Sequence, residues 1–170
     1  SVFSDLIVII TKDNTQKSFA QLADASLMLI QDVLRKEGWG LNGCISSGIV
    51  SYDEERNIFL GQPIVDAYLT TEDVEFYGVV VHHTAKKAVE AYINAKQEEG
   101  NASHLENLFT EQRLHFKSGF YTQYHMRWFD FDNVKIYRPQ TINSQYISLL
   151  EKLRDETNGR GRRYIEYTID

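Results

Sequence analysis

The chain has 170 residues, of which 42% are hydrophobic and 25% are charged. This length suits one globular domain with a sizeable core, and two domains would be a tight fit. The net charge of -6 makes a nucleic-acid backbone a poor partner, although a small polyanion neutralised by a divalent metal remains compatible with it. With only two prolines and no internal repeat to mark a linker, we predict a single domain over residues 1–170.

The only cysteine, Cys44, excludes an intramolecular disulfide and a zinc site built from cysteines. A reducing compartment fits this composition best. No apolar run approaches the roughly 20 residues that span a bilayer, and the start of the chain lacks a signal-peptide pattern. The sequence therefore predicts a soluble, cytoplasmic protein that has no membrane partner.

Strands and helices alternate along the chain. Residues 2–10 have the pattern of a strand already under way, which predicts that upstream residues are missing. Apolar residues then recur at helical spacing over 19–34, and Gly38 and Gly40 end that helix. Residues 41–52 are small, apolar and β-branched, which predicts a buried central strand.

The rest of the chain continues this alternation. In chain order we predict a hairpin with its polar tip at 53–57, a helix from 62 to about 73, a buried strand at 76–82, a helix at 85–97 capped by Thr84, a loop at 100–103, a hairpin of 113–116 and 121–131 around Lys117-Ser118-Gly119, a helix at 143–157, a flexible basic tail at 158–163 and a further element from 164. A mixed sheet with alternating helices belongs to the α/β or α+β class.

Asp5 is the most informative carboxylate, because it lies within an apolar strand or at the tip of a tight hairpin. A buried carboxylate without a partner would cost several kcal/mol, and a metal ion is a good partner. The alternative is a turn aspartate that accepts hydrogen bonds from its own backbone.

Four segments resemble the class III nucleotidyl cyclases and occur in the same order as in that family. They are Phe3-Ser4-Asp5, similar to the motif on the family's second and third strands; residues 43–48, similar to its R-x-G-I-x-x-G strand without the arginine; residues 58–68, similar to its hydrophobic-Gly-x-x-Val-Asn segment; and residues 116–119, similar to its V-K-G turn. In detail, residues 57–68, 116–128 and 162–164 are most similar to the bacterial pyrimidine (uridylate or cytidylate) cyclases of the Pycsar anti-phage defence system.

This resemblance implies a ferredoxin-like cyclase sheet with helices packed on it, in a head-to-tail homodimer with two sites. The implied reaction converts a nucleoside triphosphate, UTP or CTP, to its 3′,5′-cyclic monophosphate and pyrophosphate, as second-messenger synthesis in anti-phage defence. Two Mg²⁺ or Mn²⁺ ions per site would lower the pKa of the attacking ribose oxygen and neutralise the developing charge. The base stays open, since one substitution in a pocket can change it.

The resemblance also assigns metal and substrate contacts. Asp5 would bridge both metal ions, and the family's other metal-binding aspartate would lie upstream of Ser1, so this chain alone would be inactive or feeble. Lys117 would contact the β- and γ-phosphates, with a solvated turn lysine as the alternative. Gly61 and Ser4 would bind the substrate.

Asp66 and Tyr68 are the candidate catalytic residues that the resemblance implies. Asp66 stands near the transition-state asparagine of purine cyclases, and Tyr68 or Thr70 stands near their arginine. Ile58 stands where adenylyl cyclases carry a base-reading aspartate. These departures indicate a different base, a different transition-state donor or a domain without activity.

Other conspicuous side chains have a functional and a structural interpretation. His82 and His83 are adjacent on a predicted strand, where they would point to opposite faces and could not bind one ion, so we predict a structural role. Aromatic residues alternate along the predicted strand that ends near residue 131. They could stack a base, but we predict that they form core on one face and an interface on the other. This aromatic ribbon consists of Tyr121, Tyr124, His125, Trp128, Phe129 and Phe131. Three arginines near the end of the chain would contact either a phosphate across a dimer interface or solvent, namely Arg160, Arg162 and Arg163.

Two further hypotheses belong to other classes of protein. The first is a degenerate cyclase-like domain that binds nucleotide or a partner chain without turnover. The second is a relative of palm polymerases and diguanylate cyclases, which share the sheet and the metal aspartates. The sequence lacks the Gly-Gly-Asp/Glu-Glu/Asp-Phe hairpin of the diguanylate cyclases, which argues against the second.

Overall fold

The computed structural model describes residues 6–53, 55–56, 58–98, 108–130 and 139–169. Its elements are, in chain order, α1 (Gln16–Glu37), β1 (Asn42–Ile45), β2 (Ser51–Asp53), β3 (Ile58–Leu60), α2 (Gln62–Asp73), β4 (Gly78–Val81), a 3₁₀ turn (His83–Ala85), α3 (Lys86–Glu98), β5 (Phe109–Phe116), β6 (Gly119–Met126), a 3₁₀ turn (Trp128–Asp130), α4 (Pro139–Glu156) and α5 (Arg160–Ile169). This mixture of helices and a mixed sheet confirms the predicted α+β type of fold. The predicted loop at 100–103 lies outside the described residues.

The main sheet has the strand order β1-β4-β6-β5. Strand β1 is parallel to β4, with Asn42 opposite Gly78 and Ile45 opposite Val81. Strands β4 and β6, and β6 and β5, are antiparallel. The hairpin of β2 and β3 forms a separate antiparallel sheet of two strands, as the polar tip between them predicts.

The prediction of one buried central strand over 41–52 is wrong. Within the described part of the chain, β1 is an edge strand that pairs with β4 alone, and the run leaves the sheet after Ile45. The cause is contact with residues distant in the sequence: the Ser46 hydroxyl donates to the carbonyl of Pro63 at 2.6 Å, and the Ser47 N–H donates to the Thr84 hydroxyl at 3.1 Å. These bonds replace the sheet ladder, and the run resumes as β2.

Helix α1 forms as its boundary residues predict. Thr15 is the N-cap and its hydroxyl accepts from the Ser18 N–H at 3.2 Å, while Asp13 accepts from the N–H and the hydroxyl of Thr15. Gly38 ends the helix in the left-handed conformation, with φ of 69°. The buried face carries apolar residues three, four and seven positions apart, namely Ala23, Leu27, Ile30 and Leu34.

Asp13 predicts an acid sensitivity of this helix start. Hydrogen bonds from Ser18 and then Thr15 lower the pKa of Asp13 from 3.8 to about 2. A carboxylate with a depressed folded pKa contributes stability above its unfolded pKa, and that contribution is lost as pH falls through the folded pKa. We therefore expect Asp13→Asn to lower the free energy of unfolding at neutral pH and the difference from wild type to vanish towards a pH of about 2. Urea unfolding at several pH values measures this, and an NMR titration of Asp13 with a midpoint near 3.8 would contradict it.

The core lies on both faces of the sheet. All four residues of β4 are buried; Val79 and Val81 belong to a large cluster that includes residues of α1, α3, α4 and α5, and Val80 belongs to a smaller cluster with Phe76 and Leu114. This division follows from the alternation of side chains along a strand. It confirms the predicted buried strand.

Both ends of the chain differ from the prediction. Residues 6–10 belong to no strand, and their side chains are between 39% and 61% exposed. Residues 160–169 are a helix and no flexible tail, because Ile165 is buried in the large cluster and the Thr168 hydroxyl accepts from the Tyr77 N–H at 2.8 Å. Among the described residues, no helix combines the length and the apolar character needed to cross a membrane.

Candidate functional site

The candidate site lies where the carboxyl ends of the parallel strands β1 and β4 meet helix α2. In open α/β sheets, ligands bind outside the carboxyl ends of such strands. Several polar side chains lie at this edge, and we call them the β1–β4 cluster. They are Cys44, Ser46, Asp66, Thr70, His82, His83 and Thr84. They come from three elements that are far apart in the sequence.

Helix α2 is attached to this edge by close backbone contacts. A Cβ atom on Gly61, the residue before the helix, would lie 2.6 Å from the carbonyl oxygen of Ile49. A Cβ atom on Gly48 would lie 2.7 Å from the Cγ of Pro63. Gly61, which the resemblance assigns to substrate binding, therefore lets the loop after β1 pass over the start of α2.

The two histidines lie together, and the prediction that they point to opposite faces is wrong. Their ring centroids are 4.0 Å apart, because β4 ends at Val81 and His83 already begins a 3₁₀ turn. Burial first, and the neighbouring His83 second, lower the pKa of His82, which favours its neutral ring at neutral pH. The end of the apolar run at Val81 is the sequence signal that could have shown this grouping.

Thr84 has a different role from the predicted helix cap. Its hydroxyl accepts from the Ser47 N–H at 3.1 Å and lies 2.9 Å from Nδ1 of His82. The 3₁₀ turn begins before it, with His82 at its N-cap position. Thr84 thus joins the loop after β1 to the end of β4.

Cys44 is unsuited to nucleophilic catalysis. Burial raises the pKa of its thiol from 9.0 to about 11, against opposing hydrogen bonds from the Thr70 side chain and the His82 backbone. The thiolate is the nucleophilic form of cysteine. At neutral pH the thiol is protonated, and Cys44 acts as a small packing residue.

The structure brings Asp66 together with Thr70 and separates it from Tyr68. The Thr70 hydroxyl donates to the Asp66 carbonyl at 2.7 Å, and Nε2 of Gln62 donates to the Asp66 carboxylate at 2.8 Å. Tyr68 is two positions from Asp66, which corresponds to about 200° around a helix, and it is exposed. Asp66 also influences the pKa values of Cys44 and His82, whereas Tyr68 faces solvent.

Lys117 lies at the opposite end of α2. Its Nζ donates to the carbonyl of Glu72, and its N–H donates to the carbonyl of Asp73 at 2.8 Å. The Asp73 carboxylate accepts from the N–H and the hydroxyl of Ser118. The last carbonyls of a helix attract cations, so the β5–β6 turn is docked on α2. Since α2 has 12 residues, Lys117 is about 16 Å along the helix from Gly61.

Asp5 and Ser4, the predicted metal ligand and substrate contact, lie outside the described residues. Within the described ranges, no group of three or more His, Cys, Asp and Glu side chains is placed to hold a metal ion. The two Mg²⁺ or Mn²⁺ ions therefore stay a prediction.

The predicted aromatic ribbon divides between core and surface. Trp128 and His125 are buried, Tyr121 is exposed, and Phe131 lies outside the described residues. The three arginines belong to α5, where Arg162 pairs with Glu166 at 3.0 Å and Arg163 pairs with Glu75 at 2.6 Å.

Comparisons with known proteins found no match, so the functional inference depends on the residues described above. No protein-family model matches the chain, and no curated protein or solved structure matches it. The resemblance to class III cyclases stays a prediction from four segments.

Proposed function

We propose that the chain is a cytoplasmic nucleotidyl cyclase domain that acts as a homodimer on a nucleoside triphosphate, UTP or CTP, in anti-phage second-messenger synthesis. The products are the 3′,5′-cyclic monophosphate and pyrophosphate. One observation supports this proposal most directly: three of the four cyclase-like segments form or contact helix α2. The loop after β1 contacts its start through Ser46 and Pro63, residues 58–68 provide its first turns, and Lys117 contacts its end.

The positions of Asp66 and Lys117 favour a site shared between two copies. Asp66 belongs to the β1–β4 cluster and lies near the start of α2, whereas Lys117 lies at the end of α2. In a two-fold dimer with antiparallel α2 helices, the Asp66 of one copy would face the Lys117 of the other. Neither residue would need to leave its own helix end.

The surface around α2 also supports a dimer. Pro63 is the only residue of α2 that is buried, and the β2–β3 hairpin packs as a separate sheet. Large apolar side chains are between 44% and 65% exposed here, and we call them the hairpin–α2 surface: Ile58, Leu60, Val65, Tyr68 and Leu69. Tyr52 is not among them, because it is opposite Phe59 and so lies on the other face of the hairpin. At roughly 100 Å² each, the side chains of this surface offer about 500 Å², more than half of the ~800 Å² that each partner buries in a stable interface. An isolated hairpin is marginal in water.

The test incubates the full-length protein with each of the four ribonucleoside triphosphates and Mg²⁺ or Mn²⁺, and identifies products by mass spectrometry. We expect a cyclic monophosphate and pyrophosphate from one pyrimidine triphosphate. Asp5→Ala is expected to abolish the product, and Asp66→Ala to lower kcat by about 100-fold. Asp155→Ala is the matched control, because Asp155 is an exposed aspartate on α4 that pairs only with its neighbour Arg154 in the described structure.

A second candidate is a cyclase-like domain that binds nucleotide without turnover. The observation that favours it is that the Nζ of Lys117 already donates to the Glu72 carbonyl. A dimeric, metal-supplemented protein that retains a triphosphate in equilibrium dialysis but forms no cyclic product would establish this function and overturn the cyclase proposal.

A further inference from the structure

Several side chains of the β1–β4 cluster have no hydrogen-bond donor left for a ligand. The one hydroxyl proton of Ser46 goes to the carbonyl of Pro63 at 2.6 Å, and that of Thr70 goes to the carbonyl of Asp66 at 2.7 Å. As a carboxylate, Asp66 can only accept, and it already accepts from Nε2 of Gln62 at 2.8 Å. These side chains therefore offer a phosphate group neither an N–H nor an O–H.

The ring of His82 does offer a donor, because only one of its two nitrogens is used. Nδ1 lies 2.9 Å from the Thr84 hydroxyl, and no other described residue bonds to Nε2. The Thr84 oxygen already accepts from the Ser47 N–H at 3.1 Å, and donating its one proton to Nδ1 completes its hydrogen bonding. We therefore assign the proton of the neutral His82 ring to Nε2.

Three contacts fix the position of this ring. The His82 N–H donates to the carbonyl of Ile45 at 2.8 Å, which keeps the backbone beside β1. Thr84 holds Nδ1, and the ring centroid lies 4.0 Å from that of His83. Burial first, and His83 second, lower the pKa of His82 against the opposing charge of Asp66. The neutral ring is therefore the form favoured at neutral pH.

The proposed reaction requires a donor of this kind. As O3′ of the ribose bonds to the α-phosphorus, the bond to the bridging oxygen breaks and pyrophosphate leaves with that electron pair, while the 3′-hydroxyl proton passes to water. An N–H that is already in position stabilises the charge that develops on the phosphate oxygens. Asp66 and Tyr68, which the cyclase resemblance places near this role, do not supply it, since Asp66 only accepts and Tyr68 faces solvent.

We infer that His82 is the transition-state donor of the proposed cyclase, with its Nε2–H directed at an oxygen of the α-phosphate. This role rests on the proposed function, and it gives His82 a catalytic task where the sequence predicts a structural one. Thr84 is a positioning residue, since its hydroxyl selects the ring nitrogen that carries the proton. A neutral histidine can donate in this way without itself gaining or losing a proton.

Steady-state kinetics with the pyrimidine triphosphate that gives product tests this role. His82→Ala should lower kcat about 100-fold or more with little change in KM, as expected when one transition-state donor is removed. His82→Gln should be about 10-fold more active than His82→Ala, because an amide N–H can donate although it cannot act as a base. His115→Gln is the matched control, because His115 lies on β5 with its ring stacked on Tyr167.

The tautomer can be measured without any nucleotide. Long-range ¹H–¹⁵N NMR of the histidine rings should show His82 protonated on Nε2 and unprotonated on Nδ1. Thr84→Val keeps the shape of the side chain but removes its hydroxyl, so it should raise the share of the other tautomer and lower kcat about 10-fold. A wild-type ring protonated on Nδ1 would overturn the inference.

The kinetic outcomes separate this role from the proposed function. Cyclic product formed by His82→Ala at the wild-type rate would overturn the role of His82 and leave the cyclase proposal standing. His82→Gln as inactive as His82→Ala would point to proton transfer by the ring and contradict a donor role. A larger loss in His83→Gln than in His82→Gln would assign the donor to the neighbouring ring. No product from the wild-type protein with any triphosphate would overturn the cyclase proposal itself, and with it this role.

Discussion

Replacing Trp128 by alanine is expected to lower the free energy of unfolding by about 3–5 kcal/mol. The side chain is almost completely buried. Its Nε1 donates to the carbonyl of Tyr77 at 3.1 Å, its own carbonyl accepts from Nε2 of Gln31 at 2.7 Å, and its ring packs edge-on against Tyr146. The substitution would open a cavity between α1, α4 and the start of β4, and would leave the partly buried Tyr77 carbonyl without this donor.

Urea unfolding followed by circular dichroism measures this change. Trp128→Phe should be less costly, since it keeps an aromatic contact with Tyr146, but it still loses the hydrogen bond to Tyr77 at about 1–3 kcal/mol. Trp39→Ala is the matched control, because the same deletion at an exposed position is expected to stay within about 0.5 kcal/mol. Equal destabilisation by the two alanine variants would contradict a core role for Trp128.

Elements with local signals could be predicted from the sequence. Helix α1 depends on Thr15 at its start, Gly38 at its end and an apolar stripe between them. The β5–β6 hairpin depends on the turn at Lys117 and Ser118 and on the alternation of its strands. In both cases the residues that decide the structure lie within the element or directly at its ends.

Elements that depend on distant contacts could not be predicted. Helix α5 has a basic composition typical of a solvated tail, and its position depends on the pairing of Arg163 with Glu75 and on Thr168 with Tyr77. The pattern of β1 is the same for a central strand and for an edge strand, since only the pairing partners distinguish them. Neither position is encoded within a short window of sequence.

The candidate site divides in the same way. The grouping of Asp66 with Thr70 follows from their spacing of four on one helix. The contact of Lys117 with Glu72 joins residues 45 positions apart, and spacing alone gives no sign of it. The sequence therefore identified Asp66 and Lys117 as candidates but not their separation at the two ends of α2.

A charge at the centre of the hairpin–α2 surface is expected to break the proposed dimer. Leu69→Glu should convert the protein to a monomer and reduce cyclic product by about 100-fold or more, because a glutamate in an apolar interface loses its hydration without gaining a partner. The fold should survive, since Leu69 is 59% exposed. Sedimentation velocity measures the oligomeric state, and the nucleotide assay measures the product.

Met28→Glu is the matched control for this substitution. Met28 is a half-exposed apolar residue of α1 outside the hairpin–α2 surface, so its variant should stay dimeric and active. A Leu69→Glu variant that remains dimeric would place the interface elsewhere. A monomeric variant with full activity would contradict a site shared between two copies.

Mixing two inactive variants tests the shared site directly. Asp66→Ala and Lys117→Ala each remove one residue, and we expect each homodimer to have about 1% of the wild-type activity or less. After random re-pairing, half of the dimers are mixed, and each mixed dimer holds one site with both residues intact and one with neither. The mixture should therefore recover about a quarter of the wild-type activity. If Asp66 and Lys117 acted within a single chain, no pairing would restore a complete site, and the mixture would stay inactive.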